Sequence, residues 1–138
     1  MFKKILVAFD GSTHAVKALK IAADLSKKYT AALSVATAVN LPELPDRGER
    51  DGEIGSFHGD LERAARIAKQ EGVAVVTHLL RGNAGNILQR FAEDNNFDLV
   101  LVGARGRNAV QRFLMGSVSM HLVTNLQCSV MVVKEKNA

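Results

Sequence analysis

Short apolar runs alternate along this chain with segments whose apolar residues recur every three to four positions, and that alternation predicts strands joined by helices. Ile5 to Phe9 is almost continuously apolar, as expected of a strand covered on both faces. Beyond it, Ala15, Ala18, Leu19, Ala22 and Leu25 line one side of a helix reaching about Tyr29. Lys17, Lys20, Asp24, Lys27 and Lys28 fall on another side, and Ser12 or Thr13 can cap the start. Ala32 to Val39 reads as the second strand. Asn40 to Gly55, which holds Pro42 and Pro45, reads as a loop, and a helix from about Phe57 to Glu71 stops at Gly72. Val73 to Leu80 is the third strand, and Asn83 caps a helix whose Ile87, Leu88, Phe91 and Ala92 face inward. Leu99 to Val102 is the fourth strand, a last helix runs from about Ser117 to Asn125, and Val130 to Val133 is the fifth strand.

This order predicts an α/β fold: a single open five-stranded parallel sheet with helices on both faces, Rossmann-like, filling residues 1–138 as one domain. The longest apolar runs are too short to span a bilayer, so no membrane partner is expected. Lys3 and Lys4 before the first apolar run resemble the start of a secretory signal, but the run stops at Asp10. It reads as a strand, and the chain as cytoplasmic.

Charge and cysteine content narrow the chemistry. The formal charge of +4 conceals an uneven distribution, because residues 43–62 hold seven of the 14 acidic side chains and only Arg47 and Arg50 of the 18 basic ones. The remainder is strongly basic, which raises the local concentration of anionic ligands without choosing among them. A lone cysteine, Cys128, excludes an intramolecular disulfide and reads as a small hydrophobe opening the last strand. His14, His58, His78 and His121 are scattered, with no pair at the spacing of a zinc-binding helix, so no metal ligands are assigned. Phe57, Phe91 and Phe113 lack the basic interleaving of a single-strand nucleic-acid binder, and no specific nucleic acid is expected.

In a parallel α/β sheet, ligands sit at the carboxyl ends of the strands. Two features arrive there: Asp10-Gly11-Ser12 after the first strand, and Gly103 to Ser119 after the fourth. Gly103 and Gly106 allow close backbone approach, and Gly116-Ser117-Val118-Ser119 opens a helix whose free N–H groups attract anions, with the hydroxyls of Ser117 and Ser119 as further donors. Two glycines alone would be a turn; the second Gly-Ser cluster at a helix start adds the phosphate reading.

With Gly103, Gly106, Gly116 and Ser117 spaced as G-x2-G-x9-G-[ST], and with the opening Ile5-Leu-Val-Ala-Phe-Asp-Gly-Ser12, the chain resembles the nucleotide-binding branch of the universal stress protein family, from Lys3 to Lys134. That resemblance implies an adenine nucleotide alpha hydrolase-like fold and an ATP ligand, with magnesium on the triphosphate. It implies that Asp10 lies beside the nucleoside with Ala8 and Phe9 as nearby backbone, and that Ala38 packs on adenine. Val102 and Gly103 would then line sugar and base, and Arg105, Gly106 and Gly116 through Ser119 the phosphates. It further implies a homodimer through Val130, Met131, Val132 and Val133. Two departures stand out: Ala38 is smaller than the family's usual valine, and Ser129 replaces a frequent proline, restoring a backbone N–H. Asp10 could instead serve only its helix start, and Arg105 could be a solvated loop charge.

The expected function is an ATP-binding regulator of a stress response. No G-x4-G-K-[ST] spacing is present, so at most slow hydrolysis is expected. The alternative is a dimeric partner-binding module whose glycine loop is structural. A nucleotide-activating enzyme that releases pyrophosphate, and a flavin carrier, fit less well, the latter because the chain has no tryptophan and one tyrosine.

Overall fold

The computed structural model describes residues 1–40, 47–105 and 115–136, and for 47–56 the backbone alone. Strand and helix alternate as β1 (Lys4–Ala8), α1 (Thr13–Tyr29), β2 (Ala32–Val39), α2 (Arg47–Gln70), β3 (Val76–Arg81), α3 (Ala84–Asp94), β4 (Leu99–Gly103), α4 (Ser117–Asn125) and β5 (Ser129–Val133). The strands form one parallel sheet in the order β3-β2-β1-β4-β5. The chain builds outward from β1 to β3, then returns to the other side of β1 with β4. Strand order therefore reverses between β1 and β4, where the two outgoing loops part and leave a crevice at the carboxyl edge.

Alternation along the strands divides the core into two layers. Ile5, Val7 and Phe9 of the first strand and its extension join Val35, Leu99 and Leu101 under α1 and α2, whose Ala18, Leu19, Ala22, Leu61, Ala64 and Ala68 close that face. Leu6, Ala8, Ala36, Val100 and Val102 face the opposite layer, covered by Leu88, Ala92 and Leu122 of α3 and α4. Because both faces are covered, the central strands carry apolar side chains at successive positions, which is why the first strand reads as a continuous run.

Two boundaries differ from the sequence pattern. The second helix starts at Arg47, about ten residues before Phe57, so part of the acidic window belongs to a helix and not to a loop. Gly48, Gly52 and Gly55 disguise it. Once Leu61, Ala64 and Ala68 anchor the helix on the sheet, extending it toward its N-terminus costs little per residue, and Glu49, Arg50 and Glu53 favour the extension. At the other end, the Gly72 N–H donates to Lys69 O and the Val73 N–H to Ala68 O, with Gly72 at φ +84°. Residues 73–75 are therefore still leaving the helix cap, and β3 begins only where Val76 meets Ser34.

No helix among the described residues is long and apolar enough to cross a membrane.

Candidate functional site

At the carboxyl edge, the end of β1 turns sharply into α1. Gly11 takes φ +81°, a conformation that side chains disfavour, and the Ser12 N–H donates to Asp10 Oδ1 at 2.9 Å. Ser12 Oγ in turn accepts from the Ala15 N–H at 3.2 Å, capping α1. Arg63 of α2 donates from Nη1 to Gly11 O at 3.2 Å, tying the second helix to this turn.

Across the reversal point, β4 ends at Gly103. Ala104 is the junction of the whole edge: its N–H donates to Val133 O, and its carbonyl accepts from the Gly116 N–H, both at 2.7 Å. Ser119 Oγ lies 3.0 Å from Ala104 O and 2.9 Å from Gly116 O, with the residue 1 % exposed. Its hydroxyl thus joins the two ends of the loop inside the protein, while its backbone N–H remains in the first turn of α4. Of the expectation for Ser119, the amide part has the geometry of an anion donor and the hydroxyl part does not.

Three of the helices that start at this edge have described N-caps, and these differ. Ser12 caps α1, and Asn83 Oδ1 accepts from the Asn86 N–H at 3.2 Å to cap α3. The N-cap of α4 is Gly116, which has no side-chain cap bond, and the first intrahelical bond runs from the Met120 N–H to Gly116 O. The amides of Ser117, Val118 and Ser119 precede that bond and have no carbonyl of their own helix to reach. They add their donors to the positive end of the helix dipole, an arrangement suited to an anion.

Between these elements lies a cleft of about 160 Å³. Its lining brings together Ala8, Phe9, Asp10, Ala38, Val102, Gly103, Arg105, Gly116, Ser117, Val118 and Ser119, all singled out in the sequence; Gly106 lies outside the described residues. It also includes Ala36 and Thr37 of β2, Phe57 of α2, and Ala84 and Leu88 of α3. Thr37 is buried and its hydroxyl donates to Phe9 O at 2.8 Å, so it braces the edge from within. The helix-period pattern could have pointed to Ala84 and Leu88, since both lie on the inward side of a helix that begins at this edge. Phe57 and Arg63 carry no such signal, because their positions depend on how α2 crosses the turn after β1.

The cleft has two chemically distinct ends. The first amides of α4 and Arg105 stand at one, alanines and larger apolar side chains at the other. Here β2 overhangs β1: pairing ends at Ala8 with Ala36, but β2 continues to Val39. The Phe9 N–H donates to Ala36 O and the Gly82 N–H to Val39 O, so Ala36 directs its peptide groups toward β1 and Val39 toward β3. By the two-residue alternation of a strand, Ala38 directs its N–H and C=O toward β1, past the last paired residue, where the cleft begins. That is an adjacent donor and acceptor beside an apolar floor.

The walls are fixed by contacts behind them. His121 Nε2 lies 2.8 Å from Gln89 Oε1, joining α4 to α3. The His14 ring accepts at Nδ1 from the Glu135 N–H at 3.0 Å, and Lys17 Nζ donates to Lys134 O at 2.8 Å, fastening the segment after β5 to α1. No group of three or more metal-ligating side chains occurs among the described residues. Cys128 is half-buried at the opposite edge of the sheet; burial pushes its thiol pKa up, with Asp98 and Glu93 adding to the rise against a backbone hydrogen bond.

Comparison with known proteins bears on the family and the fold. The universal stress protein family model matches residues 1–134. A universal stress protein of Methanocaldococcus jannaschii is 31% identical over 142 residues, covering 98% of this chain and 84% of the relative. Among solved structures, a universal stress protein in complex with cAMP superposes with TM-score 0.78 at 23% identity, covering 96% of this chain and 97% of its own. The universal stress protein of Archaeoglobus fulgidus in complex with dAMP gives TM-score 0.75 at 21% identity, covering 97% and 98%. These two likenesses establish the fold.

Proposed function

This chain belongs to the universal stress protein family, and on that premise we propose that its cleft binds an adenine nucleotide, with ATP as the working ligand, and that occupancy regulates a stress response in the cytoplasm. The observation that carries the reading is the unequal capping at one edge: α1 and α3 have side-chain caps, whereas α4 begins on Gly116 with no side-chain cap among the described residues, and its first residues line the cleft. Phosphates take the place of a side-chain cap, held by the amides of Ser117, Val118 and Ser119 with Arg105 nearby.

The base belongs at the apolar end, over Ala8, Ala36, Ala38 and Val102. An adenine edge offers an acceptor beside an amino donor, which complements the N–H and C=O of Ala38. Asp10, at the mouth between the two ends, is suited to the ribose hydroxyls. The bound states of the two solved relatives, one with cAMP and one with dAMP, support an adenine nucleotide as the ligand class. Magnesium would be held by the triphosphate oxygens and not by a protein carboxylate cage, since the described residues offer no such cage. In the absence of a phosphate-loop lysine, hydrolysis would be slow at most.

A second feature favours self-association. β5 is an outer strand of the sheet, and Met131 on it is 36% exposed. Val130, Met131 and Val132 would pair with the same strand of a second copy, while Val133, 4% exposed, already packs in its own core. In the alternative reading this dimer module is the whole function and the cleft stays empty of nucleotide. Mass spectrometry of gently denatured protein, followed by calorimetry with ATP and AMP, separates the two. A co-purified adenine nucleotide or binding at micromolar to millimolar concentration supports the first reading; neither of these in a folded dimer overturns it. Light scattering that gives a monomer at micromolar concentration overturns the dimer.

A further inference from the structure

Among the described residues two aromatic side chains line the cleft, and they differ in availability. Phe9 is 2% exposed and belongs to the core under α1 and α2. Phe57 is half-buried, near the middle of α2 and one turn before Leu61, the first of the α2 residues in that core. Its ring lines the cleft from the α1–α2 side of the sheet, whereas Leu88 lines it from the α3–α4 side. The sheet edge between them carries Ala8, Ala36 and Ala38, whose side chains are single methyl groups on the Leu88 side. Small residues below and a ring and a leucine on opposite sides describe a slot for something flat and apolar on its faces. The amides that suit an anion lie at the other end, at the start of α4.

Resting on the nucleotide reading, we infer that Phe57 stacks on the base of the bound nucleotide. The division of labour follows from the chemistry. A ring face meets any base, so stacking supplies affinity with little choice among bases. Choice is left to groups that meet the base edge, such as the Ala38 peptide. The small Ala38 side chain lets the base sit deep at the sheet edge, and Phe57 covers the face that would otherwise meet water.

Calorimetry on the intact chain tests this with Phe57→Ala, Phe57→Leu and Phe57→Trp, using AMP and ribose 5-phosphate as probes. Phe57→Ala weakens AMP roughly 5- to 100-fold. Phe57→Leu keeps apolar bulk without a ring and falls with it, whereas Phe57→Trp holds AMP within about threefold of wild type. Ribose 5-phosphate binds all four chains alike. Because the natural chain has no tryptophan, Phe57→Trp also introduces a sole indole, whose fluorescence AMP quenches and ribose 5-phosphate leaves unchanged. Equal AMP affinity in the wild type and Phe57→Leu, or equal quenching by both probes, overturns the role of Phe57 alone. Failure of the folded wild-type chain to bind AMP overturns it together with the nucleotide reading.

Discussion

Gly103 and His14 touch so closely that a Cβ on the glycine would lie 2.8 Å from the histidine Cβ, with Ala15 N at 3.1 Å and His14 C at 3.2 Å. The end of β4 is thereby pressed against the first turn of α1, and the neighbours include backbone that cannot swing aside. Gly103→Ala must push the two elements apart at a residue that itself lines the cleft. The expected cost is about 1–3 kcal/mol in urea unfolding. Nucleotide affinity should fall roughly tenfold or more, because displacing a positioned group by a fraction of an ångström affects every contact beyond it. A variant of wild-type stability and affinity would mean that this contact gives way without consequence.

Ser117 and Ser119 stand two residues apart and should respond in opposite ways. Ser119→Ala removes a buried hydroxyl that joins Ala104 O to Gly116 O, and should lower stability by about 1 kcal/mol. Ser117 is exposed at the helix start, so Ser117→Ala should leave stability within about 0.5 kcal/mol and weaken phosphate-bearing ligands roughly fivefold. Urea titration and calorimetry on both variants measure the two effects separately. The assignment fails if Ser119→Ala loses ligand affinity at unchanged stability.

Much of this site is legible in the sequence because turn chemistry is local. Glycine spacing, Gly116 before Ser117, and an apolar strand ending at Gly103 place the loop and the helix start without tertiary information. β2 from Ala32 to Val39 and α4 from Ser117 to Asn125 run as the pattern predicts. The inward turn of Ser119 has a weaker signal: Leu122, three residues on, is fully buried and shares its helix face. By contrast, the early start of α2 is hidden by three glycines, and the arrival of Phe57 and Arg63 at the cleft depends on how that helix crosses the sheet. Those are packing decisions, made between segments far apart in the chain.

His78 makes stability depend on pH. Desolvation by burial lowers its pKa, the nearby Lys4 charge lowers it further, and its ring stands 4.7 Å from that of Phe91. The folded state therefore favours the neutral imidazole. With the folded pKa below the unfolded value of about 6.5, the unfolded chain binds more protons between them. The stabilising contribution is complete above about pH 6.5 and is lost as pH falls through the folded value. Thermal unfolding from about pH 7.5 down to about pH 5 should fall more steeply in the wild type than in His78→Gln. Parallel profiles would remove His78 from the explanation.

The central claim is that one cleft holds a base at Ala38 and an anion at the start of α4. Amide resonances of isotope-labelled protein titrated with AMP, adenosine and ribose 5-phosphate test it most directly. The account predicts that AMP shifts Ala38 together with Ser117, Val118 and Ser119, that adenosine shifts Ala38 without the α4 amides, and that ribose 5-phosphate does the reverse. Millimolar AMP that leaves all four amides unmoved, or that moves only residues of β5, would contradict it.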